Sequence, residues 1–226
     1  MEQSKKALIE YLTPFMTDER FALFEEILSK RTRHVTVVLE DLYQPHNASA
    51  VLRSCDCFGI QDIHAIENIN PFSITKGISV GSRKWLTVNR YEEKEENTLS
   101  CINSLKEKGY KIIATTPHKN DCLISELDLS QKTALVFGTE DTGITQTAID
   151  HADGFVKIPM YGFTESFNIS VAAALSLYEV RNQLTSQNID WGLSEDEKTD
   201  LKLEWMTKSI KASSKIIENW KSSNVE

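Results

Sequence analysis

Four segments of the 226-residue chain hold most of its polar punctuation. The first runs Glu40-Asp-Leu-Tyr-Gln-Pro-His-Asn47 and continues to Arg53. The second is Pro117-His118, and the third Gly138-Thr-Glu140-Asp-Thr-Gly143. The fourth is Pro159-Met-Tyr-Gly162-Phe-Thr-Glu-Ser166-Phe-Asn168. Their side chains suit holding and orienting a ligand. Arg53 is a permanently charged, forked donor that fits phosphate and ribose oxygens. Asn47 and Asn168 offer carboxamides, Ser166 a hydroxyl, and Glu140 a carboxylate between two glycines that permit tight turns. Each residue also has a plainer reading. Arg53 can pair with Asp56 at i+3. Asn47 and Asn168 stand where helix caps are expected. Glu140 can be a solvated turn residue or an acid near the next helix start. A six-residue separation does not put Asn47 and Arg53 on one helix face. They meet only if Asn47 sits at the entry turn.

Other chemistries lack their motifs. No Gly-x-Gly-x-x-Gly follows a strand, and no P-loop or Gly-x-Ser-x-Gly elbow is present. The five histidines are scattered; His46 and His118 read as structural or solvent-facing. Cys55, Cys57, Cys101 and Cys122 form no Cys-x-x-Cys pair, so no metal site is expected. They read as reduced thiols of a cytoplasmic protein.

The elements that position these segments fall into three zones. Residues 1–33 read as a helical extension, with an N-cap and acidic first turn at 17–19. Residues 34–187 alternate β-rich runs with helical patterns. Strands are expected at 34–39, 62–67, 85–89, 110–115, 133–137 and 155–158. Helices are expected at 45–58, from a cap at Asn97 to Gly109, and at 168–182. Such alternation implies an α/β fold with a largely parallel sheet. In such a sheet ligands bind beyond the carboxyl ends of strands, where all four polar segments fall. Residues 188–226 read as one long helix behind a capping box at Ser194 and Glu197.

The formal net charge is −8, which argues against indiscriminate nucleic-acid binding. The charge is uneven, however. Residues 1–34 balance six basic against six acidic side chains, so the excess acid lies further along. Basic clusters stand at Lys30, Arg31 and Arg33, at Arg83 and Lys84, and at Lys208, Lys211 and Lys215. The last three are expected to share a helix face at i, i+3 and i+7. Each cluster is either a phosphate contact or a solvated face. No apolar run is long enough to span a membrane.

The segment Pro45-His-Asn47-Ala-Ser-Ala-Val-Leu-Arg53-Ser-Cys-Asp-Cys-Phe-Gly59 resembles the first motif of the SpoU branch of the SPOUT RNA methyltransferases. Leu135-Val-Phe-Gly-Thr-Glu140-Asp-Thr-Gly143-Ile resembles the second. Ile158-Pro-Met-Tyr-Gly-Phe-Thr-Glu-Ser166-Phe-Asn168-Ile-Ser170 resembles the third. The motifs occur in the family's order, and the resemblance covers about 36–181. Within the branch, Val80-Gly-Ser-Arg-Lys-Trp85 and the flanking helices are similar to those of the tRNA ribose 2′-O-methyltransferases acting on guanosine 18 of the D-loop. Phe167 stands where relatives commonly carry Leu.

The resemblance implies a C-terminal trefoil knot, a homodimer, a tRNA substrate and S-adenosylmethionine bound in the knot. It implies a catalytic set of Arg53, Asn47, Glu140, Ser166 and Asn168. Thr115, Gly138, Ile158 and Phe167 match its cofactor-binding positions, although core packing accounts equally for Ile158 and Phe167. The basic clusters then become an RNA footprint, with both terminal zones clamping the tRNA. Two alternatives remain open: a methyltransferase of ribosomal RNA or another tRNA nucleotide, and a non-catalytic RNA-binding protein on the same fold.

Overall fold

The computed structural model describes residues 2–75, 81–93, 95–117, 122–187 and 189–223. Val80, His118 and Asn188 belong to segments read above and lie outside the described residues. In chain order the elements are α1 (Glu2–Leu12), α2 (Asp18–Leu28), β1 (Val35–Glu40), α3 (Pro45–Cys57), β2 (Asp62–Ile66) and β3 (Thr87–Tyr91). Then come α4 (Asn97–Glu107), β4 (Lys111–Thr115), β5 (Cys122–Leu123), β6 (Thr133–Phe137), α5 (Gln146–His151) and β7 (Gly154–Lys157). The chain ends with α6 (Ile169–Ser186), α7 (Glu195–Ser209) and α8 (Ser213–Ser223). It forms two compact units, Thr32–Trp191 and Met1–Arg31 with Gly192–Glu226.

The first unit is a seven-stranded sheet in the order β3-β2-β1-β6-β4-β7-β5, with every pairing parallel. The interior strand β1, Val-Thr-Val-Val-Leu-Glu, is buried at all six positions, as a parallel strand covered on both faces must be. Val35, Val37 and Leu39 belong to a core with Val51, Leu52 and Cys55 of α3 and Ala173, Leu177 and Val180 of α6. Val38 belongs to a second core with Cys101, Ile102 and Leu105 of α4 and Ala148 of α5. Burial pushes the Cys101 thiol up to about 12, which keeps it protonated at neutral pH.

Several expectations need correction. Trp85 closes a 3-10 turn at Ser82–Lys84, so β3 starts later than the apolar run suggests. Asn97 is already inside α4, and its amide donates 3.0 Å to the Glu67 carbonyl instead of capping. The two-residue β5 and the one-turn-and-a-half α5 are too short for a periodicity signal.

The second unit packs α1, α2, α7 and α8 around Leu12, Phe24, Leu28, Leu201, Trp205 and Met206. Phe24 meets Trp205 edge-on at 5.6 Å. Thr17 caps α2, and Ser194 with Glu197 forms the expected capping box on α7. The single C-terminal helix divides, however. Ile210 is extended and Ala212 has φ +57, a left-handed conformation that stops a helix. Lys208 therefore lies in the last turn of α7 while Lys215 lies in α8, and the three lysines share no helix face.

Candidate active site

β1, β6, β4 and β7 are consecutive neighbours in the sheet. Because they run parallel, their carboxyl ends open along one edge, and the four polar segments start there. A cavity of about 410 Å³ lies at this edge. Its lining includes Thr115, Gly138, Glu140, Ile158, Ser166 and Phe167. That volume falls in the range of small-molecule and cofactor pockets.

Three of these loops meet through a shared carboxylate. Pro45 starts α3 in the position where its missing N–H costs nothing, and this leaves Asn47 in the first turn. Asn47 is 4% exposed. Its Nδ2 donates 2.9 Å to Glu140 Oε1 and 3.1 Å to Gln44 Oε1. Asn168 N-caps α6, its Oδ1 accepting from Ser170 N at 2.9 Å and Ser170 Oγ at 2.6 Å. Its Nδ2 donates to the same Glu140 oxygen and, at 3.2 Å, to Asn47 Oδ1. Asn168 is thus a cap and a member of the junction at once. Asn47 is not a cap; its amide is committed to the junction.

Glu140 is delivered by a tight loop. Thr139 and Gly143 exchange backbone hydrogen bonds at 3.0 and 3.1 Å. Gly143 has φ +70. A Cβ on Gly138 would stand 2.1 Å from the Gly143 carbonyl oxygen, so only glycine fits there. Thr115 donates its hydroxyl to the Val136 carbonyl at 2.8 Å, locking β4 to β6 at the cavity floor.

Arg53 stands apart from this junction. It is exposed on α3, does not line the cavity, and forms no ion pair with Asp56 or hydrogen bond among the described residues. The other expected RNA contacts divide by environment. Arg31 is 2% exposed with its guanidinium 5.4 Å from the Trp205 ring centroid, so it is a packed residue and not a surface cation. Lys30 pairs with Glu26 at 2.5 Å and Lys208 with Glu204, in each case at i,i+4. Arg33 pairs with Asp62 at 3.1 Å. Lys84 lies 4.7 Å from the Trp85 ring centroid. Arg83, Lys211 and Lys215 are exposed. Among the described residues no cluster of His, Cys, Asp or Glu is placed to hold a metal ion. One structural element escaped the sequence reading. Glu40 and Asp41, read as loop polarity, are both buried and hydrogen-bonded.

A parallel α/β sheet with a cavity and a three-loop polar junction at its carboxyl edge defines a class, and the family comparison agrees. The SpoU rRNA Methylase family matches residues 34–178, and the chain belongs to that family. Among curated proteins, the tRNA (guanosine(18)-2′-O)-methyltransferase of Borreliella burgdorferi is 39% identical over 203 residues, 90% of this chain and 91% of that protein. The crystal structure of the A. aeolicus TrmH/SpoU tRNA modifying enzyme matches with a TM-score of 0.76 and 28% identity, covering 86% of this chain and 98% of that one. The SpoU methyltransferase AviRb of Streptomyces viridochromogenes, in complex with AdoMet, matches with a TM-score of 0.59 and 26% identity, covering 72% of this chain and 65% of that one.

Proposed function

We propose that this chain methylates the ribose 2′-oxygen of guanosine 18 in the tRNA D-loop, using S-adenosylmethionine. The observation that carries the proposal is the Asn47–Glu140–Asn168 junction at the rim of the 410 Å³ cavity. The names of the relatives supply the substrate. The cavity fits the cofactor: the tight turn at Gly138 brings backbone to its wall, and Ile158 and Phe167 add apolar surface. Thr115, Gly138, Ile158 and Phe167 would hold it there. When bound, S-adenosylmethionine supplies an electrophilic methyl group on a sulfonium sulfur.

The protein's share of this reaction is alignment and charge placement. A guanidinium offers hydrogen-bond donors and no acceptor, so Arg53 acts as a donor and not as a base. Exposed and unpaired with any described residue, it is available to grip an RNA phosphate and orient the 2′-hydroxyl. The junction fixes the rim loops, and Ser166 adds a hydroxyl beside them. The three-zone division into a central methyltransferase domain with two helical extensions, the trefoil knot, the cytoplasmic location and the homodimer belong to the same proposal. An exposed apolar stripe on α6 supports the dimer. Val171, Leu175 and Tyr178 are 44%, 40% and 57% exposed, with Phe58, just after α3, against the Tyr178 ring. A second copy is the occupant we assign to it. Lys30, Arg33, Arg83, Lys84, Lys208, Lys211 and Lys215 remain the proposed RNA contacts, and Arg31 leaves that set because it is buried.

The test is incubation with methyl-labelled S-adenosylmethionine and unmodified tRNA or ribosomal RNA, followed by mapping of the product nucleotide. Label at guanosine 18 is expected. Label confined to ribosomal RNA overturns the substrate, and label on neither overturns the transferase.

A further inference from the structure

Glu40 ends β1 and is 1% exposed, yet it plays no part in the chemistry above. Its carboxylate takes three hydrogen bonds. Thr98 Oγ1 in α4 donates 2.6 Å to Oε1, and Thr145 Oγ1 donates 2.7 Å to the same oxygen. The Thr145 N–H donates 2.8 Å to Oε2. A buried carboxylate is costly unless its acceptors are used, and here two of its three bonds go to one residue. Thr145 is the N-cap of α5, its hydroxyl also accepting from Ala148 N at 3.2 Å. It follows Gly143, which closes the loop that delivers Glu140.

The two ends of this clamp serve different parts of the junction. β1 leads through Gln44 into the turn that presents Asn47. Thr145 anchors the far end of the Glu140 loop, and β1 and β6 pair directly up to Leu39 and Phe137. The β1 end is itself fixed. Asp41, at φ +58, accepts from the backbone N–H groups of Asn68, Ile69 and Asn70 at 3.1, 2.8 and 2.8 Å. Asn68 Nδ2 donates 2.9 Å to Thr98 Oγ1, which closes the network back onto Glu40.

We infer that Glu40 is a positioning residue for methyl transfer: by holding Thr145 it sets the 138–143 loop so that Glu140 reaches Asn47 and Asn168. The inference rests on the methyltransferase reading. Glu40→Gln is the informative change, because it keeps the volume while placing an amide donor against a site built from donors.

Single-turnover methylation of a tRNA transcript, at saturating cofactor and RNA, is measured for Glu40→Gln, Glu140→Ala and the double variant. Each single change is expected to lower the rate at least about tenfold, as misplacement of a reacting constellation does. The double variant is expected to be no slower than the slower single, because both act on one group. A merely structural Glu40 would lower the melting temperature and leave the rate per folded molecule unchanged. Thr98→Val removes one bond to Glu40 but spares Thr145, and its rate is expected to stay within about twofold of the unaltered protein. A Glu40→Gln rate equal to the unaltered one, or losses that multiply in the double variant, overturns the inference. If the unaltered protein transfers no methyl group, the function proposal fails separately. Amide hydrogen exchange over 138–145 then decides the positioning role. Faster exchange there in Glu40→Gln, with the sheet strands unchanged, supports it; unchanged exchange overturns it.

Discussion

The polar residues at the cavity edge and the cations assigned to RNA contact differ in what surrounds them. Asn47, Glu140 and Asn168 come from three distant segments and share one carboxylate oxygen. Lys30 and Lys208 pair with their own helix neighbours, Arg33 pairs with a strand carboxylate, and Arg31 is packed on an indole. The difference lies in what fixes each position. Parallel strands fix where their carboxyl ends emerge, so a polar residue just after a strand is delivered to the common edge. Nothing comparable fixes a cation on a helix, which takes whichever acid or ring lies within reach. Arg53 contrasts with these paired cations, being exposed and free of described partners on the helix whose first turn holds Asn47.

The largest effect expected from this contrast is at Arg53. Arg53→Ala removes a donor that the fold does not use, so the melting temperature should stay within about 1–2 °C of the unaltered protein, a surface-sized change. The methylation rate should fall by about 10²- to 10³-fold, the cost of losing one preorganised charge-stabilising donor. Thermal melting and single-turnover kinetics check the two halves. A large stability loss with a small rate loss would place Arg53 with the packed residues and break the comparison.

Burial without an acid partner has its own signature at His64. The ring lies in β2 with Nδ1 3.1 Å from Tyr91 Oη, and burial, helped by Lys108, pushes it down to about 4. The folded protein therefore holds this imidazole neutral where the unfolded chain would protonate it. Stability from this group is present above pH 6.5 and is lost as pH falls from about 6.5 to 4. A shift of this size corresponds to about 3 kcal/mol over that window. Urea unfolding at pH 7 and pH 4.5, for the unaltered protein and for His64→Asn, checks it. Parallel pH slopes in the two proteins would remove His64 as the source.

How far the sequence carried the fold follows from the same physics. The run 34–39 reads as a strand because β-branched residues crowd it, and the burial of β1 on both faces agrees with an interior parallel strand. The order β1-β6-β4-β7 is not a local property, and no alternation pattern contains it. It was reachable only through the resemblance carried by the three motifs. Asn168 was legible as a cap, since capping is local, whereas its bond to Glu140 depends on that strand order. Glu40 was missed because a Glu-Asp pair after a strand looks like loop. Its alternation with Thr36 and Val38 on the face covered by α4 and α5 was the available signal. The division of the last helix was invisible, because Ile210-Lys-Ala212 is composed of ordinary helix formers.

The smallest effects separate two neighbouring cations, Arg31 and Lys30. Arg31→Ala empties a site packed on Trp205 and should cost about 1–3 kcal/mol, measured by urea unfolding. The salt dependence of tRNA binding should not change, because a buried guanidinium releases no counterion. Lys30→Ala removes only an exposed i,i+4 pair, so stability should move by less than about 0.5 kcal/mol. If Lys30 meets a phosphate, log Kd against log salt should flatten by roughly 0.7 to 0.9. The opposite pattern, with Arg31 moving the salt slope and Lys30 leaving it untouched, would require the helical unit to open and expose Arg31 when RNA binds. Equal slopes for both variants and the unaltered protein would leave the helical segment before the sheet outside the footprint. The exposed Arg83, Lys211 and Lys215 would then be the cations left to account for the remaining slope.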